Sequence, residues 1–92
     1  MNNDTARIAL VTGGTRGIGK ACAVALVKAG FRVAICGRDA ERASVVANEL
    51  ATDGGEVRGF GCDVAKSDAV ERLVKDINET MGSISVLINN AG

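Results

Sequence analysis

Four glycines fall within the ten residues VTGGTRGIGK, Val11 to Lys20, where the apolar run RIALV gives out. Glycine weakens a helix or strand interior by roughly 0.5–1 kcal/mol relative to alanine, so this cluster points to a need for bare backbone. The chemistry such a junction offers is anion binding. Unpaired N–H groups and the dipole at a helix start hold phosphate. Gly13 allows a tight turn out of the strand, Gly17 lets a pyrophosphate approach the backbone, and Gly19 lets the helix pack closely on the sheet. Thr15, Arg16 and Ile18 share the loop. Glycines also occur in βα turns that hold no ligand. A place after a first strand and before a helix, inside a βαβ unit, favours the phosphate reading. The spacing is T-G-x-x-x-G-x-G, and G-x-G-x-x-G does not occur.

Other reactive chemistry is sparse. The chain has no histidine and no tyrosine. Cys22, Cys36 and Cys62 lack metal-like spacing, so no metal site is assigned, and they read as buried free thiols of a reducing cytosol. Asp39 and Ser67 suit helix caps, Glu41 a solvated helix surface, and Thr15 the phosphate loop, which leaves no general acid or base. No catalytic residue is assigned.

The elements that position the glycine loop alternate two periods. RIALV (Arg7 to Val11), FRVAIC (Phe31 to Cys36), EVRGFGC (Glu56 to Cys62) and ISVLI (Ile84 to Ile88) are short and mostly apolar. The first, second and fourth are nearly continuous in apolar character, as in parallel strands covered on both faces. Between them run three segments with helical spacing. Their faces are Ile18, Cys22, Ala25, Leu26 and Ala29; then Ala43, Val46, Ala47 and Leu50; then Val70, Leu73, Val74, Ile77 and Met81. Asp39 and Ser67 precede the second and third helices as N-caps, and Gly30, Gly54 or Gly55, and Gly82 follow the helices as left-handed C′ residues.

This β-α-β-α-β-α-β pattern implies an α/β fold, a parallel sheet of order 3-2-1-4 with helices on both faces, half of a Rossmann-type doubly wound fold. Residues 1–92 form a single domain, with no linker or repeat. A ligand then belongs beyond the carboxyl ends of the strands, where the order reverses between the first and fourth. The glycine loop and NNAG, Asn89 to Gly92, meet there. The chain is 47% apolar and 24% charged, with eleven acidic and eleven basic side chains. That balance leaves no footprint for nucleic acid or an anionic membrane. Without a signal-peptide pattern or a long apolar run, the expected location is cytoplasmic.

TGGTRGIG, CDV and NNAG, in this order and spacing, resemble the short-chain dehydrogenase/reductase family. The likeness covers all 92 residues and is closest to 3-oxoacyl-(acyl carrier protein) and acetoacetyl-CoA reductases. The resemblance implies a cofactor loop of Gly13, Thr15, Arg16, Gly17, Ile18 and Gly19, and an adenine site at Asp63 and Val64, with Asp63 accepting from the adenine amino group. It implies that Asn89 braces the central strands, and that Asn90, Ala91 and Gly92 line the ribose side. For Asp63 a turn or cap role is the alternative. The family's chemistry is hydride transfer between a nicotinamide and a carbonyl, here a β-ketoacyl thioester, with the proton handled by a serine and a Y-x-x-x-K motif. This chain carries no such motif. It is therefore expected to bind dinucleotide without turning over, as the cofactor-binding portion of a longer, homo-oligomeric reductase. The alternatives are a free-standing nucleotide-binding module and a nucleotide-free interaction domain. The fourth strand, unpaired on its far side, is expected to favour self-association.

Cofactor choice rests on the end of the second strand, roughly 20 positions beyond the glycine loop. NAD-specific relatives carry an aspartate there. Gly37 stands in its place, followed by Arg38, so NADP(H) is expected over NAD(H). Arg16 is a second cation for the same phosphate. Solvated loop charges are the alternative for both arginines, and Asp39 is near enough to act as the missing acid if it is not a cap.

Overall fold

Strands and helices alternate along the computed structural model, which describes residues 7–51 and 55–90. In chain order they are β1 (Ile8–Thr12), α1 (Gly17–Lys28), β2 (Arg32–Gly37), α2 (Ala40–Leu50), β3 (Val57–Gly61), α3 (Ser67–Thr80) and β4 (Ile84–Asn89). Every pairing is parallel and the order is β3-β2-β1-β4, as the alternating periods predict. In β1 and β2 successive side chains pass to opposite faces and meet a helix layer on each. Val11, Val33 and Ile35 pack with Ala23 of α1 and with Val46 and Ala47 of α2. Ile8, Leu10, Ala34 and Cys36 pack on the other face with Leu73 and Ile77 of α3 and Met81 just after it.

The apolar faces of α2 and α3 fall close to their predicted positions, although Val74 is 36% exposed. The α1 face does so only in part, since Cys22 and Leu26 pack as expected. Ile18 is 75% exposed, and Ala25 and Ala29 are exposed too. Gly19 and Ala23 are the buried residues of α1, with Cys22, Leu26 and Val27 packed beside them. The two smallest side chains mark the seam because the helix lies close to the strands, so apolar bulk is a poor guide to which side faces the sheet. β4 also departs from expectation. It alternates half-buried and exposed residues, with Leu87 59% exposed, because at this edge of the sheet the described residues leave one face of the strand uncovered.

Asp39 caps α2 as expected, its Oδ1 accepting from the N–H groups of Glu41 (3.0 Å) and Arg42 (3.2 Å). α1 ends in left-handed Gly30, whose N–H donates to the Val27 carbonyl while that of Phe31 donates to Leu26. Gly82 is left-handed after α3. The expected C′ glycine after α2 falls at the edge of the described residues: Gly55 lies two residues before β3, and Gly54 lies outside them. Ser67 is the first helical residue of α3 rather than its N-cap, which is Lys66. A turn set by Asp63 moves that start forward: its Oδ1 accepts from the Ala65 N–H and its carbonyl from the Lys66 N–H, each at 3.0 Å.

At the amino ends of β2 and β3, Arg32 forks onto Glu56, Nε to Oε1 at 2.9 Å, and Arg58 Nε reaches Oε2 at 3.1 Å. Hydrogen bonding from Arg32, outweighing partial burial, holds the Glu56 carboxyl below the usual carboxylate range. No helix among the described residues is long and apolar enough to cross a membrane.

Candidate functional site

Because all strands run parallel, their carboxyl ends share one side of the sheet, and a cleft of about 740 Å³ opens there. Its floor is stitched at the switch point. Thr12 ends β1 opposite Asn89 of β4. The Thr12 hydroxyl accepts from the Asn90 N–H at 2.9 Å, and its proton can go to Asn89 Oδ1 (3.2 Å) or the Ile88 carbonyl (3.4 Å). Asn90 Nδ2 also lies 3.4 Å from the Gly13 carbonyl. One buried hydroxyl therefore couples the glycine loop to the end of β4, and Asn89 braces the central strands. Thr12 is the threonine that opens T-G-x-x-x-G-x-G, so the motif itself carries its signal, beside the more conspicuous glycines.

The loop leaves β1 through Gly13 at φ 66° and enters α1 through Gly17 at φ 62°, both in the left-handed region that side chains rarely adopt. A Cβ at Gly17 would meet nothing within 4 Å, so the loop is open to a ligand there. Gly19 is bare for a different reason: a Cβ would run into the Gly13 carbonyl and stand 2.7 Å from Asn90 Nδ2. The helix approaches its own loop as well as the sheet. Arg16, the N-cap of α1, makes no side-chain cap bond, and the first turn holds no acid, unlike α2 with Asp39 and Glu41. The leading N–H groups and dipole of α1 are offered uncompensated, which is what an anion requires.

Seven of the predicted site residues line the cleft: Gly13, Thr15, Arg16, Arg38, Asp63, Val64 and Asn90. Gly17, Ile18 and Gly19 stand beside it in the first turn of α1 and are not part of the lining. Ala91 and Gly92 lie outside the described residues. Cys36, Gly37, Asp39, Cys62, Ala65 and Arg42 line the cleft as well. Arg42 has no signal in the sequence, where a charge inside a helical run reads as solvated surface.

The cleft's two thiols are poor nucleophiles. Burial, reinforced by Cys62 and partly offset by a backbone hydrogen bond from Gly13, pushes the Cys36 thiol up to about 11. Burial and then Asp63 raise Cys62. A raised thiol is protonated at neutral pH and gains reactivity only as pH climbs toward its own pKa. Alkylation of Cys36 at pH 8 should run roughly a hundredfold slower than in the unfolded chain, from the thiolate fraction alone. Peptide mapping after iodoacetamide treatment checks this, and equal rates in the folded and unfolded chain would contradict it.

A family model described as short chain dehydrogenase matches residues 7–92. The chain is similar to a 3beta-hydroxysteroid dehydrogenase of Mediterraneibacter gnavus, 42% identical over 86 residues, covering 94% of this chain and 31% of that protein. It is similar to a 3-oxoacyl-(acyl-carrier-protein) reductase of Synechocystis, 42% identical over 89 residues, covering 96% of this chain and 36% of the other. A crystal structure of actinorhodin polyketide ketoreductase with NADPH superposes at a TM-score of 0.92 and 41% identity, over 100% of this chain and 35% of its own. The chain thus spans about a third of the length of the curated relatives it matches.

Proposed function

Because the chain belongs to the short-chain dehydrogenase family, we propose that its cleft binds a nicotinamide dinucleotide, NADP(H) in preference to NAD(H), as the cofactor-binding portion of a carbonyl reductase. The observation that carries this reading is the uncapped start of α1, opening through left-handed glycines beside a cleft that holds Arg16 and Arg38. The residues fit the group. The N–H groups of Gly13 and Gly14 are held by the Cys36 carbonyl, so the donors for the pyrophosphate come from the loop beyond them, up to Gly19 in the first turn of α1, with open space at Gly17. Asp63 and Val64 take the adenine; one Asp63 oxygen already holds its own turn, leaving the other for the amino group. Asn90, with Ala91 and Gly92, takes the ribose side. Arg16 and Arg38 take the 2′-phosphate, where Gly37 presents no carboxylate to repel it.

The cofactor, when bound, supplies hydride. The work of this chain's own residues is to bind and orient it. No side chain of the cleft is suited to move the substrate's proton: Cys36 is held protonated, and Asp39 and Asp63 each commit an oxygen to a backbone turn. The chain alone therefore oxidises NADPH no faster than background with a β-ketoacyl thioester such as acetoacetyl-CoA. The substrate of the longer reductase is a carbonyl compound of that kind. The outer edge of β4 provides a surface for pairing with a further strand or a second copy.

Fluorescence titration with NADPH and NADH tests the reading. A hydrogen bond to a charged group contributes about 1.5–3 kcal/mol before screening at an open cleft, so NADPH is favoured by roughly ten- to a hundredfold, less at high salt. Equal affinities would contradict the 2′-phosphate assignment, and no binding of either would contradict the whole reading.

A further inference from the structure

Arg42 occupies a position that the helix carrying it disfavours. It lies in the first turn of α2, where the macrodipole favours an acid and a cation weakens the helix. Asp39 holds its backbone N–H at 3.2 Å, so the local backbone is fixed, and the residue lines the cleft together with Arg16 and Arg38. Among the described residues none of these guanidiniums makes an ion pair or a side-chain hydrogen bond. The carboxylates of the same cleft, Asp39 and Asp63, each have an oxygen engaged by backbone N–H groups. Like charges gathered in one cleft repel one another, and a residue that breaks a helix rule without a compensating contact marks a place where the compensation comes from a ligand.

We infer that Arg42 determines cofactor specificity, completing with Arg16 and Arg38 a three-guanidinium cradle for the 2′-phosphate of the adenosine ribose. The inference rests on the proposed function. Its location favours this phosphate over the pyrophosphate: Arg38 and Arg42 bracket the junction of β2 and α2, where the adenosine ribose lies in a doubly wound fold, and the pyrophosphate belongs to the start of α1. A phosphate monoester is close to dianionic at neutral pH and presents three oxygens, enough for more than one planar fork.

The test is calorimetric titration of the chain with adenosine 2′,5′-bisphosphate and with 5′-AMP, alongside melting curves without ligand. Arg42→Ala weakens the bisphosphate by about five- to twentyfold and leaves 5′-AMP within about twofold, because the lost contact touches only the extra phosphate. Arg42→Lys restores part of the loss, since an ammonium cannot fork. Arg42→Glu weakens the bisphosphate further yet raises the melting temperature of the free chain, because an acid replaces a cation in the first turn. A purely structural role predicts the opposite, a lower melting temperature and weakening of both ligands, and that result overturns the inference. If the wild type prefers the bisphosphate and Arg42→Ala keeps the full preference, the inference alone fails. If the wild type binds both ligands equally, it falls together with the 2′-phosphate reading of the cleft.

Discussion

Gly19→Ala is expected to melt roughly 10–15 °C below the wild-type chain, although alanine is the better helix former by up to about 1 kcal/mol. The methyl would enter the Gly13 carbonyl and stand 2.7 Å from the Asn90 amide, so it meets backbone and a side chain already tied to the loop. Overpacking usually costs about 1–3 kcal/mol, and more where the obstacle cannot move; the Gly13 carbonyl is backbone, so the cost here belongs above that range and exceeds the propensity gain by about 2–3 kcal/mol. The chain can relieve the clash only by lifting α1 away from its loop. That displaces the N–H groups offered to the pyrophosphate, so dinucleotide affinity should fall by at least about tenfold, the equivalent of one lost hydrogen bond to a charged group. Gly17→Ala is the internal comparison. Its Cβ would meet nothing within 4 Å, and its cost is the left-handed backbone alone, about 1–2 kcal/mol. Thermal melts of the two variants should therefore rank Gly19→Ala below Gly17→Ala. A Gly19→Ala chain as stable as the wild type would mean that helix propensity outweighs contact and that the close approach is misjudged.

The second large effect concerns Gly37 and Arg38. Gly37→Asp fits the fold: its Cβ would meet only the Thr15 methyl at 3.2 Å and hydroxyl at 3.5 Å, contacts a small rotation relieves. The new carboxylate would stand at the carboxyl end of β2 inside the cleft, where it repels a 2′-phosphate and accepts hydrogen bonds from unmodified ribose hydroxyls. Arg38→Ala removes a guanidinium that has no partner within the described chain, so it should leave stability within about 0.5 kcal/mol while weakening NADPH by about tenfold. Combined, the two changes should invert the preference, so that NADH binds more tightly than NADPH. The substitutions are adjacent and act on one phosphate, so their effects will not add in full. An unaltered NADPH preference in both single variants would show that the ribose lies elsewhere.

Much of this arrangement is legible in the residues alone, and the failures share a cause. The sheet order follows from apolar runs separated by helical spacing, since the right-handed crossover leaves few topologies. Asp39 declares itself because a capping carboxylate has a local signature two and three residues long. Ser67 misleads because the competing signal lies four residues upstream, in the turn built on Asp63. Ile18 looks like core and is exposed, because α1 meets the sheet through Gly19 and Ala23. Periodicity finds a helix more easily than it finds the side that packs. At the site the glycines are conspicuous, whereas Thr12 and Arg42 depend on tertiary neighbours. A threonine that joins β1 to β4 across more than seventy residues has no local pattern to mark it.

If the phosphates and adenosine of a dinucleotide occupy the carboxyl-end cleft, as proposed, the start of α1 is the first part of the chain to sense them. Backbone amide chemical shifts, followed as NADPH is added to isotope-labelled chain, test it most directly. The largest shifts are expected at Arg16 to Gly19, further shifts at Gly37 to Arg42 and at Asp63 and Val64, and little change around Arg32, Glu56 and Arg58 at the far end of the sheet. Shifts confined to that far end, or none at saturating NADPH, would contradict it.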